Sequence, residues 1–409
     1  MYTEELLSVI PIKEVIGQLP NVIKDISVDS RSVQPKSLFI CIKGYTVDGH
    51  DFAQQAVDAG ATVVVTEKPL ALEGQVAQVV VQNTDKVLGL LAAKFFDYPS
   101  QDITMIGVTG TNGKTSVAGI IHHMLVGMGE KSAISGTIGF NLNGVLYETS
   151  NTTSDALNTQ QMILRAKMEG CRAMVMEVSS HGLSLGRLAG VDFDVAVFTN
   201  LTHDHLDFHG TIEEYGHAKG LLFSQLGQDL TKNKNVVLNA DDPWSEKYAM
   251  MTPYPVWTYG LKNDALFRAE NCQYQDGVTT FDMITPEGKF PIMMKLLGEF
   301  NVYNVLAATA VFYSQGFPME VIVEQIEDLE PIRGRMQRVH TDLPIQIFID
   351  YAHTPDAIEK AIDAALPYKG PDNKLIFLIG TGGNRDKSKR PSMGEKASKA
   401  DYVVLTTEG

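Results

Sequence analysis

Gly107-Val108-Thr109-Gly110-Thr111-Asn112-Gly113-Lys114-Thr115 is the stretch on which the fold turns. The apolar run Ile103-Thr104-Met105-Ile106 enters it, and Val117, Ile120, Ile121, Met124 and Leu125 leave it at helical spacing. Strand, glycine-rich turn with Lys-Thr, then helix is the layout of a phosphate-binding loop. Glycines let backbone N–H groups approach phosphate oxygens, and the following helix offers its positive end. Lys114 adds a point charge for the β- and γ-phosphates, and the Thr115 hydroxyl suits Mg²⁺. The common pattern wants glycine at position 108, where this chain has Val108; glycines stand at 107 and 110 instead. A plain strand-to-helix turn is the other reading of the stretch.

Composition bounds the rest. The chain has 409 residues, 44% of them hydrophobic and 20% charged, as expected of a globular α/β protein of two to four domains. With 34 basic against 49 acidic residues the net charge is −15, which argues against nucleic acid as a partner. A local basic pocket for a small anion stays compatible with that balance. Cys41, Cys171 and Cys272 lack metal or disulfide spacing and fit a reducing cytoplasm. The start, Met1-Tyr2-Thr3-Glu4-Glu5, is not a signal peptide, and no apolar run approaches a membrane span.

Residues 1–98 read as a separate α/β domain, with strands at 37–42, 61–66 and 79–81 and helices at 51–59 and 84–97. Asp29-Ser30-Arg31 and the 43–50 turn put polar groups at strand ends, as ligand contacts or as turn residues. Residues 99–331 form the central domain. Strands at 173–176 and 195–198 run into Glu177-Val178-Ser179-Ser180-His181 and Asn200-Leu201-Thr202-His203-Asp204-His205. Alternating strands and helices imply a mainly parallel sheet whose carboxyl ends carry the site. Glu177, Asn200 and His205 thereby share an edge with the phosphate loop. Glu177 suits Mg²⁺, and one imidazole beside a phosphate-rich site is favoured over a zinc centre at His203, His205 and His209.

A helix at 212–226 carries Lys219, which by residue type alone reads as a solvated charge. Short alternating runs at 264–295 predict antiparallel strands, and a helix from 297 carries Asn301 and Asn304, either as ligand contacts or as caps. Pro331 to Met336 reads as a hinge. Residues 332–409 predict strands at 345–350, 375–379 and 402–406, short for an α/β domain, so a shortened third domain is expected.

In order along the chain, Thr109 to Thr115, Glu177 to His181, Asn200 to His205, Tyr215 to Lys219, Phe300-Asn301-Val302-Tyr303-Asn304, Arg333-Gly334-Arg335 and Asp350-Tyr351-Ala352-His353-Thr354-Pro355-Asp356 resemble the motifs of the Mur ligases. The resemblance implies three domains: an N-terminal UDP-binding α/β domain, a central ATPase domain with a parallel sheet and a C-terminal Rossmann-like domain. It implies an ATP-dependent amide ligase of peptidoglycan synthesis, working as a cytoplasmic monomer. The partners would be UDP-N-acetylmuramoyl-dipeptide and a third amino acid, diaminopimelate ahead of lysine. By similarity, Gly110, Thr111, Asn112, Gly113, Lys114, Thr115 and Ser116 hold ATP with Asn301, Arg335 and Asp350. Thr115, Glu177 and His205 bind Mg²⁺, joined by Lys219 as a carbamate. The catalytic set is Lys114, Glu177, His205 and Lys219, and Ser30, Asn151, Thr152, Thr153, Ser179 and Arg187 meet the muramoyl substrate.

The chain departs from the family at Ser154, where proline is usual, and at Thr381, Asn384 and Ser388 in the 380–390 turn. Glu408-Gly409 align with the first residues of the loop that selects the amino acid. A folylpolyglutamate type of ligase is disfavoured by the domain ahead of the phosphate loop. A paralogue acting on another amino acid, or one that holds nucleotide without turnover, stays open.

Overall fold

The computed structural model describes residues 1–409 except 45–46, 276, 382–386 and 408–409. The 43–50 and 380–390 turns lie partly outside the described residues; Asn384 and Glu408-Gly409 lie wholly outside them. The chain divides into two compact units. One comprises Met1–Thr104, Thr149–Arg172 and His181–Asp192; the other comprises Met105–Glu148, Ala173–Ser180 and Phe193–Gly409.

The first unit is built on a five-stranded sheet of β1 (Glu14–Ile16), β2 (Asp25–Ser27), β3 (Ser37–Ile40), β4 (Ala61–Thr66) and β5 (Ala77–Val80). The order is β1-β5-β4-β3-β2, with β1 antiparallel and the rest parallel. Both faces of the inner strands are apolar. Leu38, Ile40, Val63 and Val65 pack with Leu88 and Leu91 of α1 (Thr84–Phe95), while Phe39 and Val64 pack with Ala53 and Ala56 on the other side. Double-sided burial explains why these strands are continuous runs of Val, Ile and Leu. Asn83 starts α1 by accepting the N–H of Lys86 at 2.8 Å. The helix expected at 51–59 splits into a tight turn, Gly49–Phe52, and a short helix, Ala53–Asp58. Two mid-chain segments also belong here. Ala156 and Leu157 of the helix Ala156–Met168 enter the core beside α1, and an added Cβ at Gly89 would come within 2.5 Å of the Ala189 carbonyl.

The second unit carries an eleven-stranded mixed sheet. In chain order its strands are β6 (Thr104–Thr109), β7 (Ser132–Gly136), β8 (Gly139–Leu142), β9 (Val145–Tyr147), β10 (Ala173–Glu177), β11 (Val195–Phe198), β12 (Asn235–Asn239), β13 (Val256–Gly260), β14 (Phe267–Gln275), β15 (Val278–Thr285) and β16 (Gly288–Met294). The spatial order is β16-β15-β14-β13-β12-β11-β6-β10-β7-β8-β9. The ladders joining β11 to β6 and β12, β12 to β13, β13 to β14, and β10 to β7 are parallel, and both margins are antiparallel. β14 to β16 match the alternating runs at 264–295; the β8–β9 hairpin and β13 were not legible beforehand. From β6 the chain leaves through α2 (Lys114–Gly127) toward β7, whereas β11 and β12 lie on the opposite side. The connections thus diverge at the carboxyl end of β6, the place where open α/β sheets leave a crevice.

Two helices close this core. α2 buries Val117, Ile120, Ile121 and Met124, and α4 (Glu299–Ser314) is apolar almost all round because it is enclosed by neighbours. On the other side of the sheet lies α3 (Ile212–Ser224), capped by Thr211, which accepts the N–H of Glu214 at 3.1 Å. Within the same unit, the C-terminal part holds an antiparallel pair, β17 (Gln337–Val339) with β18 (Ile347–Ile349), and a parallel pair, β19 (Ile376–Thr381) with β20 (Tyr402–Thr407). α5 (Pro355–Ala365) and α6 (Arg390–Ala397) cover β19 through Ile358, Ile362, Ile379, Met393 and Ala397. Ile376, Leu378, Tyr402 and Leu405 of that pair are exposed. Among the described residues no helix is long and apolar enough to cross a membrane.

Candidate functional site

The phosphate loop sits at the carboxyl end of β6. Gly110 (φ +149°) and Gly113 (φ +87°) adopt backbone that side chains rarely tolerate. An added Cβ would lie 1.9 Å from the Thr199 hydroxyl at Gly110 and 2.9 Å from Asn304 Oδ1 at Gly113. Val108 lies before the turn, inside β6, fully buried in the core. Its side chain therefore packs where no glycine is needed, which accounts for the shifted spacing. Residues after β11 brace the loop. Thr111 N donates to the Asn200 carbonyl at 2.7 Å, Asn112 N donates to Asn200 Oδ1 at 3.0 Å, and the Thr199 hydroxyl donates to the Asn112 carbonyl at 2.6 Å.

Lys114 Nζ folds back to the carbonyls of Gly110 and Thr111, at 2.9 Å each. Burial pushes its pKa below the ordinary lysine range, against the opposing pull of Glu177 and Asp204. Lys219 Nζ reaches the same Gly110 carbonyl at 2.8 Å from α3 and stands 4.4 Å from the centre of the Tyr215 ring. The residue is 1% exposed, so the solvated-charge reading fails. Burial, and then the nearby Lys114, push its pKa well down.

Glu177 ends β10 and is 2% exposed. It accepts from the Thr115 hydroxyl at 2.9 Å, from Thr137 N at 2.9 Å and from the Thr137 hydroxyl at 3.1 Å. Arg335 Nη2 donates to Thr115 Oγ1 at 2.7 Å, which brings the hinge to the mouth of α2. Among the described residues no group of three His, Cys, Asp or Glu could hold a metal. The Thr115 hydroxyl and the Glu177 carboxylate do form a close pair of hard oxygens. That donor set fits Mg²⁺, which usually takes one or two protein oxygens, waters and substrate phosphates. His205 is half-exposed, with a φ of +54°, and its Nε2 is 3.4 Å from Asp204 Oδ2.

Asn301 and Asn304 fulfil neither simple reading alone. Asn301 Nδ2 donates to the Leu297 carbonyl at 2.8 Å, and Asn304 Nδ2 donates to Asn301 Oδ1 at 2.9 Å. Both are buried near the start of α4, and Asn304 faces the phosphate loop. A cavity of about 220 Å³ is lined by Asn301 and Arg335 with Leu297, Met336, Arg338 and His340. Asp350 accepts the Met336 N–H at 2.8 Å, and burial raises its carboxyl pKa against the opposing effect of that bond and of Arg335.

Three family models match in order: the Mur ligase family catalytic domain over residues 22–96, the Mur ligase middle domain over 108–312 and the glutamate ligase domain of Mur ligases over 334–409. The UDP-N-acetylmuramoyl-L-alanyl-D-glutamate--L-lysine ligase of Staphylococcus haemolyticus is 49% identical over 408 residues, covering 100% of this chain and 82% of that protein. The chain belongs to the Mur ligase family. A UDP-N-acetylmuramyl-tripeptide synthetase of Oceanobacillus iheyensis is also 49% identical, over 99% of this chain and 83% of its own length. Among solved structures, a UDP-N-acetylmuramoyl-L-alanyl-D-glutamate--2,6-diaminopimelate ligase superposes with a TM-score of 0.77 at 32% identity, covering 99% of this chain and 82% of that one. The three-domain Mur ligase fold and the activity of an ATP-dependent amide ligase follow from that membership.

In this Mur ligase the expected nucleotide and metal residues all belong to one compact unit: the phosphate loop, Glu177, His205, Lys219, Asn301, Arg335 and Asp350. Ser179, half-buried, belongs to that unit as well, whereas Ser30, Asn151, Thr152, Thr153 and Arg187 belong to the other. There Arg187 Nη1 donates to the Thr153 carbonyl at 3.0 Å, and the Ser30 hydroxyl donates to Gln55 Oε1 at 3.0 Å. Sequence reasoning assigned no role to Thr137, Tyr215, Asp356 or Lys389. Tyr215 signals itself only by lying four residues before Lys219 on one helix face.

Gly136 gives the site a sharp test. A Cβ there would fall 2.1 Å from Glu177 Oε1 and 2.6 Å from its Cγ. Gly136→Ala is expected to fold but to push the carboxylate off Thr115, lowering kcat by roughly 10–100-fold. Steady-state kinetics against Mg-ATP, beside a thermal melt, would check it; unchanged kcat would mean that the carboxylate position is unimportant.

Proposed function

We propose that this chain joins L-lysine to UDP-N-acetylmuramoyl-L-alanyl-D-glutamate with hydrolysis of ATP, as the third-residue step of peptidoglycan stem-peptide assembly. The observation that carries the reading is the assembled set Lys114, Thr115, Glu177 and Lys219 around one phosphate loop, in a chain 49% identical to a lysine-adding ligase. Lysine replaces diaminopimelate as the favoured amino acid. Relatives at 46–49% identity carry lysine in their names, and the diaminopimelate ligase is more distant at 32%.

A carboxylate is a poor electrophile, so the γ-phosphoryl group of ATP is first transferred to the D-glutamyl carboxylate. The acyl phosphate has a leaving group; the lysine amine attacks its carbonyl, a proton is lost, and phosphate departs. Backbone N–H groups of residues 110–116, Lys114 and the start of α2 would hold the phosphates. Asn301 and Arg335, which line the 220 Å³ cavity, would hold the rest of the nucleotide together with Asp350. Thr115 and Glu177 would hold Mg²⁺, with His205 and a carbamate on Lys219 at a second position. An ion held there would draw charge from the phosphates and so ease attack on the γ-phosphorus by the carboxylate. Ser30, Asn151, Thr152, Thr153, Ser179 and Arg187 would take the muramoyl substrate. Functionally the chain divides at about 98 and 331 into UDP-substrate, ATP and amino-acid domains. It acts as a cytoplasmic monomer without nucleic acid or membrane.

A phosphate-release screen of amino acids with the UDP-linked dipeptide tests this. Release is expected only when ATP, dipeptide and amino acid are all present, with L-lysine giving a kcat/KM at least about 100-fold above diaminopimelate. Preference for diaminopimelate would overturn the lysine assignment. Phosphate release indifferent to the dipeptide would overturn the ligase reading.

A further inference from the structure

The loop after β11 holds a carboxylate for which the reaction scheme has no use. Asp204 is 2% exposed. Lys389 Nζ lies 2.8 Å from its Oδ1, and His353 Nε2 lies 3.7 Å from its Oδ2. Lys389 is itself 7% exposed and stands 185 positions further along the chain. It sits just ahead of α6, and His353 sits just ahead of α5. Truncating one member of such a buried pair strands the other charge.

A second clasp lies beside it. Asn112 of the phosphate loop donates from Nδ2 to Asp356 Oδ2 at 2.9 Å and accepts the Thr354 hydroxyl at 3.2 Å. Thr354 is fully buried and also caps α5, accepting the N–H of Ala357 at 3.2 Å. The segment 353–356 therefore grips Asp204 and Asn112 together. Asn112 lies two residues before Lys114, and Asp204 is bonded directly to His205.

We propose that Asp204 is a positioning residue, whose clasp on Lys389 and His353 seats the C-terminal segments against the phosphate loop for the transfer step. The buried pair fixes geometry rather than binding nucleotide. The proposal rests on the ligase reading above, and its test includes a measurement that does not need turnover. Asp204→Asn and Lys389→Met are expected to bind Mg-ADP within about threefold of the parent, while kcat falls roughly 30-fold in each and no further in the double variant. Losses that multiply in the double variant, or full kcat in Asp204→Asn, would overturn the clasp. Charge exchange, Asp204→Lys with Lys389→Asp, should recover part of the loss that neither exchange alone recovers.

Spin labels on Glu395→Cys and Glu213→Cys, both exposed, in a Cys272→Ser background report the seating directly. A narrow distance distribution in the parent should broaden in Asp204→Asn. An unchanged distribution overturns the proposal even if the parent shows no ligase activity, so the two failures are separable. If Asp204→Asn does not fold, Lys389→Gln, which leaves Asp204 between His205 and His353, carries the same measurements.

Discussion

Lys219→Ala is expected to lose at least about a thousandfold in kcat, with partial recovery on adding formate or acetate. A lysine 1% exposed, held on the Gly110 carbonyl at 2.8 Å, cannot keep its usual hydration shell. Burial disfavours the ammonium form, and Lys114, donating to the same carbonyl at 2.9 Å, adds like-charge repulsion. Both effects push Lys219 toward the neutral amine, which is the nucleophilic form. A neutral amine adds CO₂ to give a carbamate, exchanging a cation for an anion in a site built for phosphate-bound cations. Alanine removes the amine and leaves space, so a small carboxylate can supply the missing negative charge. Fold should survive, because the Gly110 carbonyl keeps Lys114 as a donor. Kinetics with and without the added acids would decide the matter, together with a carbamate signal from labelled bicarbonate in the parent only. Full activity of the variant, or rescue by chloride as strong as by formate, would rule out the carbamate role.

What could be read beforehand follows from the range of the interactions. The phosphate loop is local: glycines, Lys114 and flanking periodicity all lie within a few turns of chain. Even its irregularity at Val108 resolves locally, since that side chain belongs to β6 rather than to the turn. Glu177 and His205 were found by a topological rule, that strand ends in a parallel sheet share an edge. Lys219 shows the limit of residue type; as a bare lysine on a helix it reads as solvent-facing, and only the family motif pointed inward. The clasp at Asp204 was invisible because its partners are 185 positions apart and its residues double as ordinary caps and turn polars. Likewise, nothing periodic in 149–172 or 181–192 announced that they pack into the first compact unit. Amino-acid choice was not legible in the residues, and the preference for lysine comes from relatives.

Glu177→Gln should cost roughly 100–1,000-fold in kcat and abolish the tightening of ADP binding by Mg²⁺. The substitution preserves shape. Thr137 N can still donate to the remaining carbonyl oxygen, and the new NH₂ can donate to the hydroxyls of Thr115 or Thr137, which now donate to Oε2 at 2.9 and 3.1 Å. Folding should therefore be close to that of the parent, and a thermal melt would establish it. What changes is charge at a group 2% exposed, where solvent cannot compensate. Glutamine offers a hard cation a single neutral oxygen, and that oxygen is already committed to the Thr137 N–H. The Coulombic support that Glu177 gives the Lys114 ammonium also disappears, so Lys114 is pushed further toward neutrality. Two positive partners of the phosphates are thus weakened by one substitution, which is why the expected loss exceeds that of Gly136→Ala. Calorimetric titration of ADP with and without Mg²⁺ separates the causes. A variant that keeps the parent's magnesium dependence but turns over slowly would mean that Glu177 acts through Lys114 alone and that the ion is held elsewhere.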